Sequence, residues 1–127
     1  MEESKMIDQI LEILTQDQSA LKSEIEESVS ENRETSEPMA LYGLFRAFVS
    51  HPEKTNWKAL MANIERILNS PAMAEHAVLV EQYILEGFSN TISNKAFDAK
   101  FLKDSIGPKA KTYIEAYEKF MGGTRTF

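Results

Sequence analysis

From Met6 onward, apolar side chains return every third or fourth residue, the spacing of one face of an α-helix. Met6, Ile7, Ile10, Leu11 and Leu14 mark an amphipathic helix, and Leu21, Ile25 and Val29 continue the pattern more weakly, as the same helix or a second one within residues 3–29. The run EESVSENRETSE is acidic and serine-rich and reads as a flexible connection over residues 26–37. Pro38 suits a first helical position, followed by Met39, Leu41, Leu44, Phe45, Phe48 and Val49. Ser50-His51-Pro52 ends that helix, and Thr55 is placed to cap the next, which carries Trp57, Leu60, Met61, Ile64, Ile67 and Leu68. Ser70-Pro71 then opens a long helix as N-cap and N1.

Phe97, Phe101, Leu102 and Ile106 predict a shorter helix, stopped at Gly107-Pro108 by a left-handed glycine and a proline that starts the last helix. That helix has Tyr113, Ile114, Tyr117, Phe120 and Met121 at inward spacing, and Gly122-Gly123 ends it before a frayed tail over 122–127. No stretch alternates apolar and polar residues long enough for a strand. The pattern therefore predicts an all-α, single-domain bundle of six or seven helices, with core helices across 38–121 packed around a long central helix at about 70–92.

That central helix is apolar around most of its circumference. On a projection of about 100° per residue, Glu75, Gln82, Glu86, Ser89, Asn90 and Ser93 fall within a polar arc of roughly 100°. Met73, Ala77, Val80, Tyr83, Ile84, Leu85, Phe88 and Ile92 occupy the rest. Glu81 breaks the pattern by projecting between Ala77 and Phe88, where an unpaired carboxylate is costly and tends to hold its proton or recruit a cation. It is a candidate buried acid.

A chain of 127 residues supports one domain with a core, and 43% apolar content excludes wholesale disorder. Twenty acidic against fourteen basic residues leave a net charge of −6. Nucleic acid and anionic membrane surfaces reward clustered Lys and Arg, so neither is an expected partner. The basic residues of the C-terminal third, Lys95 to Arg125, read as solvated surface. The absence of cysteine removes disulfides, thiolate metal sites and thiol nucleophiles, and fits a reducing cytoplasm. The start MEESKMIDQI is acidic and amphipathic where a signal peptide is basic and then apolar, and no segment is apolar enough to span a bilayer. A cytoplasmic location is expected.

Chemistry-bearing motifs are missing. His51 and His76 have no partner at metal-ligand spacing and read as surface residues. No serine sits in a nucleophile elbow, and no glycine-rich loop precedes a helix to cradle phosphate. The expectation is a non-enzyme with no catalytic, cofactor-binding or metal residues. The aromatics recur at core spacing, leaving Tyr42 and Phe127 as the rings expected at the surface, where exposed aromatics anchor protein partners.

Three stretches carry a resemblance. Met39-Ala40-Leu41-Tyr42-Gly43-Leu44-Phe45-Arg46, then Val80-Glu81-Gln82-Tyr83-Ile84-Leu85-Glu86-Gly87-Phe88-Ser89-Asn90-Thr91-Ile92, then Ile106-Gly107-Pro108-Lys109-Ala110-Lys111 resemble a family of small, largely uncharacterised bacterial all-helical proteins. Members of that family look like immunity proteins of polymorphic toxin systems, and the likeness spans roughly residues 38–121. It implies a non-catalytic inhibitor that captures a basic toxin domain. Tyr42, Glu75, Gln82, Glu86 and Asn90 are the candidate partner contacts. Two other readings stay open: a small-molecule sensor or enzyme with a pocket near Glu81 and Tyr83, and a structural homodimer that buries the apolar excess of the long helix.

Overall fold

The computed structural model describes residues 2–122, 126 and 127, and among them every regular element is helical. In chain order the helices are α1 (Glu3–Leu14), α2 (Lys22–Arg33), α3 (Met39–Ser50), α4 (Trp57–Leu68), α5 (Ala74–Val80), α6 (Glu86–Ser93), α7 (Lys100–Lys103) and α8 (Pro108–Met121). A π-turn at Glu81–Leu85 joins α5 to α6 without a break, so among the described residues seven helices form one domain.

The N-terminal pattern resolves into two helices. Asp17 takes a left-handed φ of 60°, which breaks α1 from α2. The buried Gln18 then bonds the backbone of Asn56 through both ends of its amide, at 2.9 Å each, and fixes the corner. The acidic run expected to be a flexible connection is mostly helical: α2 continues through Arg33, and only residues 34–38 connect it to α3. The physical reason is a close helix contact. A Cβ on Gly43 would lie 2.4 Å from the Ser28 carbonyl, so glycine alone lets α3 press its backbone against α2. Ser28 Oγ donates to the Gly43 carbonyl at 2.8 Å. Arg33 then ties the end of α2 down, donating to Glu37 at 2.7 Å and to Asp8 of α1 at 2.8 Å.

α3 is the most enclosed helix, with seven of its twelve residues buried. Phe45 meets Phe88 edge-on at 5.3 Å between ring centres, and Trp57, Phe97 and Phe101 extend the cluster at 5.4 to 5.9 Å. Phe97 reaches this cluster from the loop before α7, because the shorter predicted helix is only one turn long.

Capping differs from expectation in three places. Thr55 donates its hydroxyl backward to the carbonyls of Phe48 and His51, closing the end of α3, while Asn56 caps α4 by accepting from the Ala59 N–H at 3.1 Å. Ser70 makes no side-chain cap, although Pro71 does take the first position of a short 3₁₀ turn before α5. Gly107 is extended rather than left-handed (φ −82°), and its lack of a Cβ makes room for the Glu65 carboxylate. Gly122 does stop α8 in the left-handed conformation at φ 67°; Gly123 lies outside the described residues, as do Thr124 and Arg125.

Burial also moves several residues. His76, expected at the surface, is buried, with Nε2 2.7 Å from Gln9 Oε1, and so pins α5 to α1. Phe120 is 86% exposed and Met121 57%, so the end of α8 turns both outward. Phe127 is half-buried, with the Lys111 ammonium 5.9 Å from its ring centre, and Thr126 is buried against Glu118. Those two residues of the expected frayed tail are therefore held against α8. No helix among the described residues is long and apolar enough to cross a membrane.

Candidate functional site

The π-turn shapes the site. One wide turn, in which the Glu86 N–H donates to the Glu81 carbonyl, sits in the middle of the long helix between α5 and α6. Val80, Ile84, Leu85 and Phe88, all on its predicted apolar side, reach the interior with 0% exposure. The predicted polar arc needs correction at two positions: Ser89 is buried and Ser93 half-buried, whereas Glu75, Val78, Gln82 and Asn90 are exposed. Their spacing of three to four residues, with half-buried Glu86 between, defines the true solvent face. π-turns inside helices recur at functional sites, which directs attention to the residues around this one.

α8 lies alongside. Its N-terminus is held by α4: the Lys109 N–H donates to Glu65 Oε1 at 2.6 Å and the Ala110 N–H to Oε2 at 3.3 Å, so a carboxylate from another helix caps the unpaired first turn. From that anchor α8 runs parallel to α6, because contacts advance together along both. Tyr113 donates its hydroxyl to the Glu86 carboxylate, and one turn later Tyr117 donates to Asn90 Oδ1 at 3.1 Å. Burial is the main cause that pushes the Tyr113 phenol well above its ordinary range, and the bond to Glu86 adds to it. Tyr113 therefore stays a proton donor at any physiological pH.

Glu81 lines a cleft where α4, the long helix and α8 meet, with a volume of about 450 Å³. Leu68, Ala77 and Ala116 form its apolar walls; Lys109, Thr112 and Tyr113 supply polar groups from α8. Glu81 is half-buried and, among the described residues, makes no hydrogen bond or ion pair. Loss of solvation raises its pKa, and the nearby negative charge of Glu86 raises it further.

Of the residues singled out from sequence, Glu75, Gln82, Glu86 and Asn90 share the solvent face of the long helix, and Glu81 lies beside them in the cleft. Tyr42 is exposed at 38% but lines a separate groove of about 260 Å³ between α2 and α3, with Arg46 and His51. Tyr83, expected beside Glu81 in a pocket, is half-buried but does not line the cleft. Tyr113 and Tyr117 were assigned to core packing, and their hydroxyls are the partners that sequence reasoning missed. A Tyr at i and i+4 facing an acid and an amide at i and i+4 is the signal, but it needs the pairing of two helices to be read. Among the described residues, no three of His, Asp and Glu converge as metal ligands. No family model, curated protein or solved structure matches this chain, so the reading of its function rests on the geometry of the long helix and α8.

Proposed function

We propose that this chain is a non-catalytic protein-binding module, in its sharpest form an immunity-like inhibitor that covers a basic toxin domain. The observation that carries the reading is the pair of tyrosine bonds, Tyr113 to Glu86 and Tyr117 to Asn90, which hold two polar side chains of the solvent face in place before any partner arrives. Ordering a free side chain on binding costs about 0.5–1.5 kcal/mol, and that cost is already met here by α8. Exposed Glu75 and Gln82 lengthen the strip. The net charge of −6 supplies long-range attraction for a basic surface, raising the rate of encounter more than the final affinity.

The test is rescue. Co-expression of this chain with the product of the adjacent reading frame relieves that product's toxicity, and the double variant Glu75→Lys with Glu86→Lys loses the relief while keeping its helical circular dichroism. Full toxicity in the presence of the wild-type chain overturns the reading.

A further inference from the structure

The cleft at the π-turn holds two opposite charges that satisfy neither each other nor any other described residue. Glu81 and Lys109 both line it, yet no nitrogen–oxygen pair between them comes within the 4.0 Å of an ion pair, and neither forms one with another described residue. The backbone N–H of Lys109 is committed to Glu65, which fixes the start of its side chain and leaves its ammonium unclaimed. Glu81 is the more enclosed of the two and Lys109 is exposed, so the negative charge lies inward and the positive charge at the rim. The same cleft has apolar walls from Leu68, Ala77 and Ala116, and the Thr112 hydroxyl. A volume of about 450 Å³ falls within the roughly 300–1,000 Å³ of small-molecule pockets, which are mostly apolar with a few placed polar groups.

A purely cationic ligand would satisfy Glu81 and meet repulsion from Lys109; an anion would do the reverse. A molecule carrying both charges satisfies both. We propose that this cleft binds a small aliphatic zwitterion, of the class of a free amino acid or dipeptide. Its ammonium sits against Glu81, its carboxylate reaches Lys109 and the Thr112 hydroxyl, and its aliphatic part covers Leu68, Ala77 and Ala116. The proposal stands apart from partner binding on the solvent face, and either can fail without the other.

The experiment titrates the full ¹⁵N-labelled chain with L-leucine and with alanyl-leucine, and in parallel with leucinamide, which lacks the carboxylate, and N-acetylleucine, which lacks the ammonium. Expected are amide shifts at Ala77, Glu81 and Thr112 with at least one zwitterion, at a Kd of about 1 mM or tighter. Each singly charged probe binds about tenfold more weakly, as does each zwitterion to Glu81→Gln and to Lys109→Met, the loss of one charge-assisted contact. Both substituted side chains lie outside the core, and Lys109→Met keeps the backbone bond to Glu65, so it tests the site even if Glu81→Gln unfolds. No shift with either zwitterion at about 10 mM overturns the proposal, as does leucinamide binding as tightly as leucine, or wild-type affinity in both variants.

Discussion

The contact between α2 and α3 and the contact between the long helix and α8 are built on opposite principles. The first is closed: Gly43 removes its own side chain so that backbones touch, and Leu41, Leu44, Phe45 and Phe48 beside it are exposed by 1% or less. The second adds to the buried Ala110 and Ile114 two tyrosine hydroxyls bonded to a carboxylate and an amide, and it leaves a cleft and an acid with no partner among the described residues. Apolar packing contributes in proportion to area removed from water and tolerates no gaps. A polar seam contributes less per contact, because each bond replaces one to water. What it gains is chemistry available at a surface. Stability is concentrated on the α3 side, and the proposed binding face lies on the α8 side.

The largest expected effect falls on α3, whose other face packs on the long helix. Phe45→Ala removes a ring packed on Phe88 and in contact with Gly87, and should cost about 3–5 kcal/mol in urea unfolding; a loss under 1 kcal/mol would mean that this core can collapse around the gap. Gly43→Ala comes next. Its Cβ meets main-chain atoms, which cannot rotate away, so a strain of about 1–3 kcal/mol outweighs the ~1 kcal/mol that alanine adds in helix propensity. A melting temperature equal to wild type would show that α2 can shift aside.

On the open side the effects are smaller and different in kind. Tyr113→Phe deletes the bond to Glu86 and should lower stability by about 1 kcal/mol while freeing the Glu86 side chain, so its effect on partner rescue exceeds its effect on melting. Equal losses in both would make the pair structural only. The smallest effect has the opposite sign. Because burial raises the Glu81 pKa, the folded state holds that proton more tightly than the unfolded chain. The resulting stability is present below the ordinary carboxylate range and is lost as pH rises through the raised value. Glu81→Gln should therefore melt slightly above wild type at pH 7, by about 0.5 kcal/mol or less for so accessible a group, and match it near pH 4. A variant less stable than wild type at pH 7 would show that Glu81 has a favourable partner.

Much of the architecture was legible in the residues. The apolar period placed α3, α4 and α8 close to their observed ends, and Tyr42 was recognised as exposed. Glu81 stood out because one residue's position conflicted with its own helix, a local contradiction that needs no knowledge of neighbours. The failures share a cause. The acidic stretch 26–33 looked like a loop because its own residues bury little; α3 supplies the partner, through a glycine fifteen residues away from Ser28. Thr55 and Asn56 are both fair caps, and only the position of the α3 carbonyls decides which helix each one serves.

Sequence by itself determined that this chain is helical and which faces are apolar, because both follow from spacing along the chain and from local backbone preference. It did not reveal the π-turn or the burial of Ser89, which lies within the predicted polar arc. Nor could it pair Glu86 with Tyr113, or leave Glu81 and Lys109 facing one cleft without touching. Those are relations between helices far apart in the chain, and only the packing of the whole domain brings them within hydrogen-bond reach or keeps them apart.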